Sequence, residues 1–260
     1  LKWPLRTKNV RGSLSTGYYR TPDVNGSTIV FVCESDLWSV EAESGIARRL
    51  TASSAPCLLP RFSPDGQTIA YVGPDEGHPE VYVLPASGGP LKRITFLGSD
   101  GLYVCSWSSD GASIYFTSDA APPFAQETFA YSIHRDGGEP RRMPLGHVQS
   151  FGVNAQGRTV ICRNNFDPAR WKRYRGGRAG QLWLEGCGQT GFARIGEDIA
   201  GNVVWPMWHG DRIAFLSDHD GIANIYSITT DGQYLPQITH EREYYCRFPA
   251  TDGSQECHAP

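Results

Sequence analysis

Residues 60–95, PRFSPDGQTIAYVGPDEGHPEVYVLPASGGPLKRIT, read as four short strands in series, and the unit recurs along the chain. An apolar strand ends at Phe62, a Ser-Pro-Asp-Gly turn follows, and TIAYV alternates as a half-exposed strand would. Then come a longer loop, the strand EVYVLPA, a Gly-Gly turn and the short strand LKRIT. Pro64 and Gly66 meet the demands of a tight turn: a fixed φ at one corner and a left-handed corner without a Cβ. Third-strand anchors repeat as Trp38, Tyr82, Tyr131, Trp183 and Tyr226, at spacings of 44, 49, 52 and 43 residues. First-turn anchors occur six times, as DVNG, SPDG, SSDG, NAQG, WHGD and ATDG, and fourth strands end in RRLT, KRIT, RRMP, ARIG and PQIT. A four-stranded antiparallel unit of roughly 40–50 residues, repeated with variable loops, is a propeller blade.

The expected fold is therefore all-β: a six-bladed β-propeller of four-stranded antiparallel blades with the sixth incomplete. The blades fall at about 17–51, 57–95, 102–144, 148–195 and 202–239, with a partial one at 244–260. After ATDG the chain reads SQECHAP, so the sixth blade has a first strand, a turn and a poor second strand, as a truncated chain would. On that reading blade five faces a gap and shows water an apolar face. Residues 1–16 form a basic leader with no alternating apolar run, expected to be disordered and to supply no strand.

Composition narrows the function. Of 260 residues 40% are hydrophobic and 20% charged, and the net charge of −3 provides no global field for nucleic acid or an acidic membrane. No apolar run approaches the ~18 residues of a membrane helix. Seven cysteines (Cys33, Cys57, Cys105, Cys162, Cys187, Cys246 and Cys257) are scattered without a C-x-x-C, which fits reduced thiols in a cytoplasmic setting better than a disulfide framework or zinc site.

Several stretches resemble one family. GYYRTPDVNGSTIVFVCESDLWSV (17–40), EGHPEVYVLPASGGPLKRIT (76–95), RNNFDPARWKRYRGGRAGQLW (163–183) and WHGDRIAFLSDHDGIANIYS (208–227) look like the N-terminal six-bladed propeller of tricorn-like serine peptidases. The resemblance covers residues 17 to about 253, and the DPARWKRYRGG loop followed by LW is its most specific part. It implies a large cytosolic peptidase that trims oligopeptides, with further propeller, PDZ-like and catalytic domains, assembled into hexamers. This portion would be non-catalytic, a gate or conduit and an assembly surface. Its partners would be the remaining domains, sister subunits and oligopeptides, with no nucleic acid and no membrane. A TolB-like binding module of the bacterial envelope and the filtering propeller of a prolyl-oligopeptidase relative are the alternatives.

Candidate sites are few. SDHDG at 217–221 sets Ser, Asp and His side by side, but neighbours along a strand end diverge, and no G-x-S-x-G occurs. The motif reads as a turn, and no catalytic residue is expected. The seven histidines show no H-x-x-x-H, so neither metal nor cofactor is expected. The recurrent third-strand aromatics read as packing between blades rather than a sugar site. What remains is the enlarged hairpin of blade four, where Arg170, Lys172, Arg173, Arg175 and Arg178 crowd together with Trp171 and Tyr174. Three readings stay open: a solvated rim loop, a surface for docking or for anionic peptide ends, and a nucleic-acid grip.

Overall fold

The computed structural model describes residues 6–8, 14–16, 18–74, 77–121, 127–165, 167–170, 172–186, 191–235, 237–251 and 257–258. These form five antiparallel sheets of four strands, each a simple meander, and the described residues include no helix. Blade 1 comprises Tyr19–Asn25, Thr28–Cys33, Asp36–Glu41 and Ala47–Arg49. Blade 2 is Leu58–Phe62, Thr68–Gly73, Glu80–Pro85 and Lys92–Arg93. Blade 3 is Leu102–Trp107, Ser113–Ser118, Phe129–His134 and Arg141–His147. Blade 4 is Ser150–Val153, Thr159–Arg163, Gln181–Glu185 and Phe192–Ile195, and blade 5 is Val203–His209, Arg212–Ser217, Asn224–Ile228 and Tyr234–Leu235. Where a sixth blade was expected, two strands pair, Ala250–Thr251 with Cys257–His258. Among the described residues five blades are complete and the sixth is represented by this pair alone, in line with the expected incomplete sixth blade.

The ring nevertheless closes around its axis. The first strand of each blade touches the first strand of the next, and Ala250–Thr251 touches both Val203–His209 of blade 5 and Tyr19–Asn25 of blade 1. One short strand thus occupies the sixth sector at the axis. Blade 5 does not show water an apolar face as expected: Ala214, Leu216 and Ile225 are fully buried. Hydrogen bonds draw the following segment back onto blade 5, from Cys246 N–H to the Ala223 carbonyl (3.0 Å) and from the Tyr245 hydroxyl to the Gly221 carbonyl (3.0 Å). Within the leader, Arg6–Lys8 pairs with Leu14–Thr16, a hairpin where no strand was expected.

The expectation that TIAYV would be half exposed is also corrected. Ile69, Ala70, Tyr71 and Val72 are all buried, because each blade is packed between two neighbours and its central strands have no solvent face. Tyr82, Tyr131 and Tyr226 of the third strands each lie in an apolar cluster shared with the preceding blade, and each also meets a ring of the second strand in its own blade. Tyr82 lies against Tyr71 (centroids 5.6 Å apart), Tyr131 stacks on Phe116 (5.5 Å) and Tyr226 on Phe215 (6.2 Å).

Two recurrent motifs acquire a physical meaning. In SPDG and SSDG the serine hydroxyl bonds the aspartate two residues on and accepts the N–H that restarts the chain, at Ser63/Thr68 (2.9 Å) and Ser108/Ser113 (2.8 Å). The Ser63 hydroxyl and Gln67 N–H hold the Asp65 carboxyl below the usual carboxylate range, and Ser108 and Ala112 do so for Asp110. The threonine ending RRLT, KRIT and PQIT is a corner bolt. Thr51, Thr95 and Thr239 each accept the N–H of the third strand's second residue (Leu37, Val81, Ile225). Each donates its hydroxyl to that strand's first side chain: Asp36, Glu80 or Asn224.

Candidate functional site

The basic stretch leaves blade 4 at Arg163 and returns at Gln181. Its neck is pinned by Asn164, at φ 75°, whose Nδ2 donates to the Ala179 carbonyl across the loop (3.1 Å). Inside the neck, buried Asn165 donates to Asn202 Oδ1 at the entry to blade 5 (2.9 Å). Asp167 follows, nearly fully buried. Its Oδ1 accepts the Ala169 N–H (3.0 Å) in an Asx turn, and its Oδ2 pairs with Arg247, just before the sixth-sector strand. Further on, the Arg173 N–H donates to buried Asp218 of blade 5 (2.5 Å), and Lys172 Nζ sits 4.9 Å over the Tyr245 ring. The loop is therefore laid across blade 5 toward the sixth sector and held by two buried carboxylates.

Those carboxylates were missed from sequence, although each left a trace. Asp167 stands before Pro168, where an Asx turn is favoured. Asp218 lies inside the SDHDG motif. Its other oxygen accepts the Asn202 N–H (2.9 Å), so it ties the loop, the start of blade 5 and the end of that blade's second strand together. Within a motif read as a turn, Asp218 is an anchor.

Its neighbours come closer to a triad than sequence suggested. Ser217 Oγ lies 2.9 Å from His219 Nδ1, and His219 Nε2 lies 3.4 Å from Asp220 Oδ2. Yet Ser217 is fully buried in the blade and the imidazole packs on Tyr226 (4.5 Å), so no substrate carbonyl can reach the hydroxyl. A nucleophile needs an accessible oxygen beside an oxyanion hole. The chain is expected to turn over no fluorogenic tri- or tetrapeptide and to resist a serine-directed fluorophosphonate. Turnover that vanishes in Ser217→Ala would overturn this.

The five predicted cations fare differently from the carboxylates. Arg170, Lys172, Arg173, Arg175 and Arg178 are all exposed. Tyr174 is half-buried, while Trp171 lies outside the described residues. The two carboxylates are buried while the five cationic side chains are exposed. Such an arrangement can attract anions or an acidic surface without the fold depending on it.

Comparison with known proteins agrees with the blade geometry. The tricorn protease homolog 1 of Streptomyces coelicolor is 39% identical over 245 residues, covering 93% of this chain and 23% of that protein. The chain thus spans under a quarter of the length of this relative. The crystal structure of the tricorn protease superposes with a TM-score of 0.82 at 33% identity, over 91% of this chain and 24% of that one. A TolB from Agrobacterium tumefaciens, at 21% identity and a TM-score of 0.66 over 87% of this chain and 82% of its own, shares the fold alone. The tricorn protease N-terminal β-propeller domain matches residues 16–256, and the chain belongs to that family.

Proposed function

We propose that the chain is the non-catalytic propeller of a cytosolic tricorn-like serine peptidase that degrades oligopeptides, acting as gate and assembly surface. The observation that carries this reading is the division of the loop at 163–181 into a buried carboxylate frame and exposed cations, in a family-matching ring. The frame gives the cations a fixed position without burying them. They are then placed to meet an acidic surface of another domain or sister subunit, or the carboxylate end of a peptide. The net charge of −3 and the confinement of the cations to one loop disfavour a phosphate track.

The test replaces Arg170, Lys172, Arg173 and Arg175 with serine. Exposed charges contribute only ~0–1 kcal/mol each to stability, so the four changes together should lower the melting temperature by at most about 10 °C and leave a folded chain. The Arg173 contact to Asp218 runs through the backbone N–H and survives the change. In the full-length parent protein, the same substitutions should weaken assembly or anionic-peptide affinity, more at low salt than at high salt. Unchanged assembly and peptide affinity would reject docking, and failure to fold would make the residues structural.

A further inference from the structure

Three first strands and the segment just before Ala250–Thr251 share an unusual backbone. Thr21, Leu59, Trp205 and Phe248 have φ of 44°, 49°, 52° and 48°, and each precedes a proline: Pro22, Pro60, Pro206 and Pro249. A left-handed conformation is costly for bulky residues, on the order of 1–3 kcal/mol each, and the following proline ring crowds it further. In blades 1, 2 and 5 it coincides with a shift in strand register at the same place. The same strain at equivalent positions around one axis points to a shared task.

That task is visible in the packing. Leu59 and Trp205 are buried, and the Trp205 and Phe248 rings meet edge-on, 5.6 Å apart. Leu59 of blade 2 belongs to the same apolar cluster as Val160 and Cys162 of blade 4 and Val204 of blade 5, with Tyr103 of blade 3 and Phe248 packed against it. In a ring of six sectors, blade 2 faces blade 5. Leu59 and Trp205, from these facing sectors, thus share one apolar cluster.

The turn at 167–170 lies at the same end. Asp167 pairs there with Arg247 of the sixth sector, whose guanidinium carbon lies 5.1 Å from the centre of the Phe248 ring. We propose that Leu59, Trp205 and Phe248 form an apolar plug that closes the propeller axis, and that the Asp167–Arg247 pair latches the turn at 167–170 over it. The proposal deepens the gate reading given above. Its consequence is that nothing passes through the ring until the latch opens, so transit is a property of this element rather than of a permanently open bore.

Cys162 reports on the latch. It lies on the second strand of blade 4 in the apolar cluster that also holds Leu59 and Trp205, and its Sγ donates to the carbonyl of Asn165, two residues before Asp167 (3.1 Å). Burial pushes its thiol up to about 12. In water the thiol returns to about 8.5, which raises the thiolate fraction at neutral pH on the order of a thousandfold. Cys57, equally buried but in the separate cluster between blades 1 and 2, is the control. The experiment is native-state maleimide labelling of the full chain, with sites located by peptide mapping, in wild type, Asp167→Asn and Arg247→Gln. Expected is a Cys162 rate at least tenfold faster in either variant, with the Cys57 rate unchanged. If neither variant accelerates Cys162, or both accelerate Cys162 and Cys57 together, the latch is ordinary structure and the proposal falls. Labelling is read without any assembly or peptidase assay, so its failure leaves the docking reading standing.

Discussion

Arg61→Met is expected to destabilise the ring by ~3–5 kcal/mol, the usual result of removing one member of a buried ion pair. Arg61 sits on the first strand of blade 2 and is 7% exposed. Its Nη1 donates to the carbonyls of Pro22 in blade 1 (3.2 Å) and Pro60 (3.1 Å), and its Nε donates to Cys105 in blade 3 (3.2 Å). The carboxylate of Asp23 lies 3.6 Å away and also accepts the Phe62 N–H (2.6 Å). One guanidinium therefore joins three consecutive blades near the axis, where backbone carbonyls find no strand partner. Methionine preserves the bulk but removes every donor, leaving carbonyls and a carboxylate in a dry site. At roughly 2–4 °C per kcal/mol, the melting temperature should fall by about 10 °C. Denaturant titration of Arg61→Met, Asp23→Asn and the double variant gives the coupling energy. The double variant should be less destabilised than the sum of the two singles. A loss below about 1 kcal/mol for Arg61→Met would show that the blades are held by their apolar faces alone.

Glu80→Ala should cost a similar ~3–5 kcal/mol, and Glu80→Gln clearly less. Glu80 is fully buried at the head of the third strand of blade 2. It accepts the Thr95 hydroxyl (2.5 Å), the N–H groups of Leu97 (2.6 Å) and Gly98 (2.9 Å), and Arg93 Nη2 (3.1 Å). Alanine leaves these donors facing a void. Glutamine keeps one carbonyl oxygen for the two N–H groups, and blade 5 shows that an amide can serve there. Asn224 Oδ1 accepts the Thr239 hydroxyl (2.9 Å) and the Glu241 N–H (2.8 Å). Equal losses for Ala and Gln in denaturant titration would mean that charge, not hydrogen-bond count, governs this corner.

These two sites mark the boundary of what the sequence could reveal. The hairpin turns were legible because Ser63, Asp65 and Gly66 interact within a few residues, and such chemistry leaves a local signature. The blade repeat was legible because an aromatic recurs at the third position of every third strand. The fourth-strand threonine was visible as a motif, but its partner at the head of the third strand, 15 residues earlier in blades 1, 2 and 5, was not. Its acceptor changes between Asp, Glu and Asn, so no single letter recurs.

By itself, then, the sequence determined the strand order, the turns, the period and the family, since each depends on contacts within one blade of about 40 residues. It also showed the cationic loop, whose five charges lie in nine positions. Closure decided the rest. Packing each blade between two others buried both faces of TIAYV, against the alternation that had suggested one wet face. Bringing first strands together around an axis set Arg61 beside Asp23 and put Leu59 in one apolar cluster with Trp205, residues with no local relation. It also placed Asp167 and Asp218 beneath the basic loop, so that carboxylates unremarkable in sequence became its anchors. Such contacts join residues from different blades, and their spacing follows the geometry of the ring instead of any period along the chain.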